Sequence, residues 1–125
     1  MGGSSEDEPN LDVAKYYATR GKLTYLDEVY GGYNGGTALT WACNKGYLEI
    51  VKCLLAAGAD KEKADNDGDT PLNRAAGEGH VEIVRLLLAA GANKNKVTSD
   101  GKTALSLATS KGYQEIVQLL QPAVP

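Results

Sequence analysis

Residues 65–93, from Asp65 to Asn93, read DNDGDTPLNRAAGEGHVEIVRLLLAAGAN, and the chain on either side repeats them. Thr37, Thr70 and Thr103 lie 33 residues apart, as do Gly46, Gly79 and Gly112, and as do Ile50, Ile83 and Ile116. A fixed period of this size marks a stacked-repeat architecture, in which each unit covers the apolar face of the next.

One unit can be read residue by residue. Asp67-Gly68 is turn chemistry, with Gly free to take positive φ. Thr70 can cap a helix, and Pro71 suits its first position, where the missing N–H would be unpaired anyway. Leu72, Ala75 and Ala76 make a small apolar stripe on that helix, and Gly79 ends it as a left-handed residue. A second helix follows, with Ile83, Val84, Leu86, Leu87 and Leu88 on its apolar side, and Gly91 closes it. Neither helix can bury its stripe alone.

These residues closely resemble the ankyrin repeat family. TPLNRAA, GHVEIVRLLL and AAGAN follow its pattern T-P-L-H-x-A-A, G-H-x-E-I-V-x-L-L-L and G-A-D almost in full. The tetratricopeptide period is close, but that family lacks the turn-rich segment and the T-P-L start. The resemblance covers residues 11–121 and implies an all-α ankyrin-repeat solenoid of helix-turn-helix units joined by hairpin-like loops. Residues 11–31 then form an amino-terminal cap without the long hairpin. Residues 32–64 and 65–97 are full units, and residues 98–121 are a closing unit. One departure concerns the His of T-P-L-H, which ties adjacent loops in the family. Here it is Thr40, Asn73 and Ser106, shorter groups that can bond locally but put the loop network in question.

At 125 residues the chain has room for one domain. Residues 1–10 are small, polar and acidic and are expected to be a disordered tail, and residues 122–125 a short tail after Pro122. Three acids of that first segment account for the net charge of −3, and the remainder carries 13 charges of each sign. That balance gives no basic footprint for nucleic acid. No apolar run is long enough to span a membrane, and the amino terminus has no apolar signal region. Cys43 and Cys53 fall on helical core positions and are expected to be buried, reduced thiols of a cytoplasmic or nuclear protein.

The candidate chemical sites are weak. Asp65-Asn66-Asp67-Gly68 resembles a calcium loop, but Lys63 and Arg74 stand where ligands belong, so a solvated hairpin tip is expected. His80 is the only His, too few for a zinc site of standard spacing. Gly31-Gly32 and Gly35-Gly36 lack the strand and the Lys-Ser/Thr of a phosphate loop. No catalytic constellation, cofactor or metal site follows.

The reading is therefore a non-catalytic module, expected to be monomeric, that holds a protein partner on the concave face of the array. The resemblance implies contacts at the hairpin turns and just before each mid-repeat Gly. These are Tyr33, Asn34, Gly36, Asn44 and Lys45, then Asn66, Asp67, Asp69, Gly77 and Glu78, then Ser99, Asp100, Lys102, Ser110 and Lys111. Aligned on the mid-repeat Gly, Tyr16, Trp41, Arg74 and Leu107 form a column across the first helices. Trp, Tyr and Arg are enriched at the energetic centres of interfaces. Arg74 stacked beside Trp41 would present donors outward. The rival reading is a structural spacer without its own partner, in which charge reversal on these residues changes no association. A ligand pocket is the third, and the short helices leave it little volume.

Overall fold

In each described unit a threonine closes the first turn of the first helix. In the computed structural model, which describes residues 34–121, helix α1 spans Ala38–Lys45, α2 Leu48–Ala56, α3 Pro71–Glu78, α4 Val81–Ala89, α5 Ala104–Lys111 and α6 Gln114–Leu120. Thr37, Thr70 and Thr103 cap α1, α3 and α5, each hydroxyl accepting from the backbone N–H three residues on. Pro71 takes the first position of α3. Each of these helices ends on a left-handed glycine, Gly46, Gly79 or Gly112. Among the described residues there are helices and turns and no strands, so this part of the chain is an all-α stack of helix-turn-helix units. The expected tails at 1–10 and 122–125, and the cap at 11–31, lie outside the described residues.

The helices form two rows. In the first, α3 packs between α1 and α5, and in the second α4 packs between α2 and α6. Ala42, Ala75 and Ala108 recur at one position of the first row and are fully buried. Their small side chains let neighbouring helices approach closely. Val51, Val84, Leu54 and Leu87 fill the second row. The core is aliphatic and continuous from unit to unit. At the third unit the pattern changes: Ser106 and Thr109 are exposed where Thr40, Asn73, Cys43 and Ala76 are buried. The carboxy-terminal face of the described array is thus polar.

Backbone and side chain both sew the units together. Asn66 N–H donates to Asn34 O at 2.9 Å, and Ser99 N–H donates to Asp67 O at 3.0 Å. Thr40 Oγ1 donates to Lys63 O at 3.1 Å, so the short hydroxyl still ties the first helix to the following loop. Asn73 does not repeat this: it is 1% exposed, and its Nδ2 has no hydrogen-bond partner among the described residues. Ser106 bonds locally, completing a capping box with Thr103. The loop network is therefore intact at the backbone and lacks the side-chain tie at one joint.

A ring covers each described joint. A Cβ on Gly46 would stand 2.6 Å from the His80 ring, and one on Gly79 would stand 3.0 Å from the Tyr113 ring. These glycines are needed twice, for positive φ and for the ring of the next unit. His80 Nε2 donates to Asn44 O at 3.0 Å, which fixes the proton on that nitrogen because a carbonyl only accepts. Lys111 Nζ reaches the equivalent carbonyl, that of Gly77, at 3.4 Å. Cys43 is buried as expected, and burial pushes its thiol far above the usual range. Cys53 is only partly buried, because the buried face of α2 is made by Ile50, Val51 and Leu54 and Cys53 lies beside it.

Two outcomes follow for stability. Asn73→Thr is similar in volume, removes the orphaned amide and restores the donor that Thr40 uses. It should raise stability by roughly 1 kcal/mol, read as a higher denaturant midpoint at unchanged slope. Leu87→Ala should cost about 2–5 kcal/mol. Because α4 packs on both α2 and α6, faster amide exchange should then spread into the third unit. Exchange confined to α4 would mean the units are uncoupled.

Candidate functional site

The second hairpin is organised by Asp65. Its Oδ1 accepts from Asp67 N at 3.0 Å and from Asp69 N at 3.1 Å, while its backbone N–H donates to Asp69 O. Thr98 does the same work one period later. Its Oγ1 accepts from Lys102 N at 3.0 Å, and its N–H donates to Lys102 O at 2.8 Å. Both residues are buried. Asp65 is therefore not part of a solvated tip: its carboxylate must turn inward to receive two backbone donors. Contact positions chosen from the hairpin tips pass over Asp65 and Thr98. The signal was present, since both types close turns onto nearby backbone and stand 33 residues apart.

Arg74 lies behind this hairpin. Its Nε donates to Asp65 Oδ2 at 2.8 Å, and its Nη2 stands 2.7 Å from Asp65, 3.1 Å from Asp67 and 3.5 Å from Asp69. The donors expected to face outward beside Trp41 are turned instead onto the acids of its own unit. The reason is electrostatic: three carboxylates converge within 4.8 Å, and a guanidinium at their centre relieves their mutual repulsion. The cation among these acids is a side chain of the protein, the Arg74 guanidinium. Burial pulls Arg74 toward neutrality, but the Asp65 hydrogen bond and the surrounding carboxylates outweigh it and leave its pKa raised.

Asp67 joins three units. Its Oδ2 accepts from Asn34 Nδ2 at 2.6 Å and from Arg74 Nη2 at 3.1 Å, and its carbonyl accepts from Ser99. Asp69 is held differently. Its backbone is fixed to Asp65, its side chain is 14% exposed, and Arg74 at 3.5 Å is its charge contact among the described residues. Burial, followed by the opposing pull of Arg74 and the push of Asp65, Asp67 and Asp100, leaves its pKa raised. Asp100 lies at the exposed rim. Thr98 Oγ1 donates to its Oδ1 at 2.5 Å, and this bond first among several lowers its pKa.

These side chains border an open cleft of about 490 Å³ between the second and third hairpins. Asp67 and Asp69 form one wall, Thr98, Ser99, Asp100 and Lys102 the other, and Leu107 of α5 the floor. Every lining residue but Thr98 is a contact position read from the sequence. Asn34 joins the rim through Asp67, and the exposed Asn66 lies over Gly35 of the preceding hairpin, away from the cleft. Gly36 is buried and offers no contact. Asn44, Lys45, Glu78, Ser110 and Lys111 lie at the opposite ends of α1, α3 and α5 and do not reach the cleft. Of these, Asn44 gives its carbonyl to His80 and Lys111 reaches Gly77. Gly77 packs beneath Leu107, with a Cβ there 3.8 Å from the Leu107 Cβ. Trp41 is half-buried, its ring tilted 59° to that of Tyr47 at 5.5 Å. Tyr16 and Tyr33 lie outside the described residues.

The family model for ankyrin repeats in three copies matches residues 5–98 and again residues 58–123. The chain belongs to the ankyrin repeat family. No curated protein matches it. Ankyrin repeats are in general non-catalytic modules for protein–protein interaction. Among the described residues no helix is long and apolar enough to cross a membrane.

Two substitutions separate support from exposure to solvent. Arg74→Met strands Asp65, whose side chain is 2% exposed, and should destabilise by about 3 kcal/mol. Asp69→Asn should do the opposite. A carboxylate whose folded pKa is raised binds its proton more tightly in the native state, so its charge opposes folding above that pKa. The gain from Asn should be present at neutral pH and vanish in acid below the ordinary carboxylate range, where Asp69 is neutral in both states. Thermal midpoints across pH decide both.

Proposed function

We propose that this chain is a non-catalytic interaction module that holds a protein partner on its concave face, as a monomer in the cytoplasm or nucleus. The observation that carries the reading is the cleft itself. Contact positions from two hairpins and one helix converge there on a single open surface, with acids, a lysine, hydroxyls and a leucine side by side. A mixed polar and apolar surface of this kind suits the rim and centre of a protein interface. The half-buried Trp41 supplies the large rigid side chain that such interfaces use as an anchor.

The spacer reading predicts a surface that can be changed freely. Cross-linking followed by capture should decide between the two, with wild type compared against Trp41→Ala and against Lys102→Glu. If the module reading holds, a protein retained by wild type is lost from Trp41→Ala, with affinity reduced by at least about 2 kcal/mol. The variant should meanwhile stay folded and lose less stability than Leu87→Ala. Wild-type affinity in folded Trp41→Ala removes the first-helix column as anchor. Identical capture by every surface variant returns the chain to the spacer reading.

A further inference from the structure

The cleft has a charge imbalance that bears on what enters it. In and directly behind it stand Asp65, Asp67, Asp69 and Asp100, against Arg74 and Lys102. Two negative charges are in excess. The acids are not equally provided for. Asp65 is filled by two backbone donors and Arg74. Asp67 is met by Asn34 and Arg74, and Asp100 by Thr98 and, at 3.6 Å, by Lys102. Asp69 has the long approach of Arg74 and opens onto the cleft wall. A mostly buried carboxylate without a full set of donors is unfavourable, and an incoming donor of opposite charge removes that deficit.

We propose that this cleft receives the basic side chain, arginine or lysine, of a partner polypeptide, with its charged head at Asp69 and its aliphatic stem along Leu107. The inference rests on the interaction-module reading and gives it a chemistry. Leu107 is the apolar part of the lining, half-buried at the floor, where a methylene stem can lie while the head reaches the acid wall. An acidic side chain would face the excess negative charge. A neutral apolar one would strip water from Asp69 and leave it only the long approach of Arg74. Both are disfavoured by the same imbalance that attracts the cation. A free metal ion fits less well, because Arg74 already stands among Asp65, Asp67 and Asp69.

The test uses short capped Gly/Ser peptides bearing one central arginine, lysine or glutamate, titrated into the whole isotope-labelled chain and followed by amide shifts. The arginine and lysine peptides should produce saturable shifts at Asp69, Ser99 and Leu107, and the glutamate peptide none. Asp69→Asn should weaken the arginine peptide about tenfold or more, the loss expected for one charge-assisted hydrogen bond. Leu107→Lys, which puts the chain's own ammonium in the cleft, should weaken it similarly. Since only the backbone of Asp69 serves the hairpin, the Asn variant keeps the fold, checked by its dispersed spectrum. Several results would overturn the proposal: no shifts up to the peptide's solubility, equal affinity in Asp69→Asn, equal response to the glutamate peptide, or the same saturable shifts from calcium chloride alone. Such a result beside Trp41-dependent capture leaves the module reading standing, and loss of capture beside cleft binding has the reverse meaning.

Discussion

Ala42, Ala75 and Ala108 sit where consecutive first helices meet, and the rest of the array depends on their smallness. A helix of eight residues has too few turns to be stable alone in water. It persists because its neighbours lie close enough to cover its stripe. A larger side chain at this position would push neighbouring helices of the first row apart, and the loop bonds would separate with them. Asn66 reaches Asn34 and Ser99 reaches Asp67 only because the helices hold the hairpins at bonding distance. The hairpins in turn bring Asp69 and Leu107 to one cleft. Spacing in the core therefore governs geometry at the surface.

The same hairpin shows two uses of negative charge. Asp65 is structural: buried, fully provided with donors and backed by Arg74. Asp69 is four residues away and is held at the cleft with its charge opposed by burial. Marginal placement of a charged group is what a binding surface requires, since a carboxylate already saturated within its own chain has nothing to offer a partner. Natural sites commonly carry such groups at some expense of stability.

Much of this was legible in the residues. The period located every helix, and Thr70, Pro71 and Gly79 marked its ends because capping chemistry is local. Of the residues read as contact positions, Asp67, Asp69, Ser99, Asp100, Lys102 and Leu107 line one cleft, since the period converts sequence spacing into spatial order, while Asn44, Lys45, Glu78, Ser110 and Lys111 stand at the far helix ends. Two features were not legible. The direction of Arg74 is a contest between an aromatic neighbour and three carboxylates, decided by distances that exist only after folding. The burial of Asp65 was hidden because the tip of a hairpin reads as solvated, whereas its first residue bonds inward to hold the turn. Cys53 shows a smaller version: helical spacing placed it near the core, but the buried face of its helix is Ile50, Val51 and Leu54, and Cys53 stands beside that face.

The rings over the glycines make the joints individual. At one joint His80 covers Gly46 and donates to Asn44 O; at the next Tyr113 covers Gly79, and Lys111 serves the Gly77 carbonyl. The units therefore share a blueprint without being interchangeable. Exchanging the second and third would preserve composition and period. It would also bury Ser106 and Thr109 and set Tyr113 over Gly46 and His80 over Gly112. Linear order along this chain is thus written into the seams, and an insertion or recombination between units has to preserve a matched pair of edges as well as the repeat length.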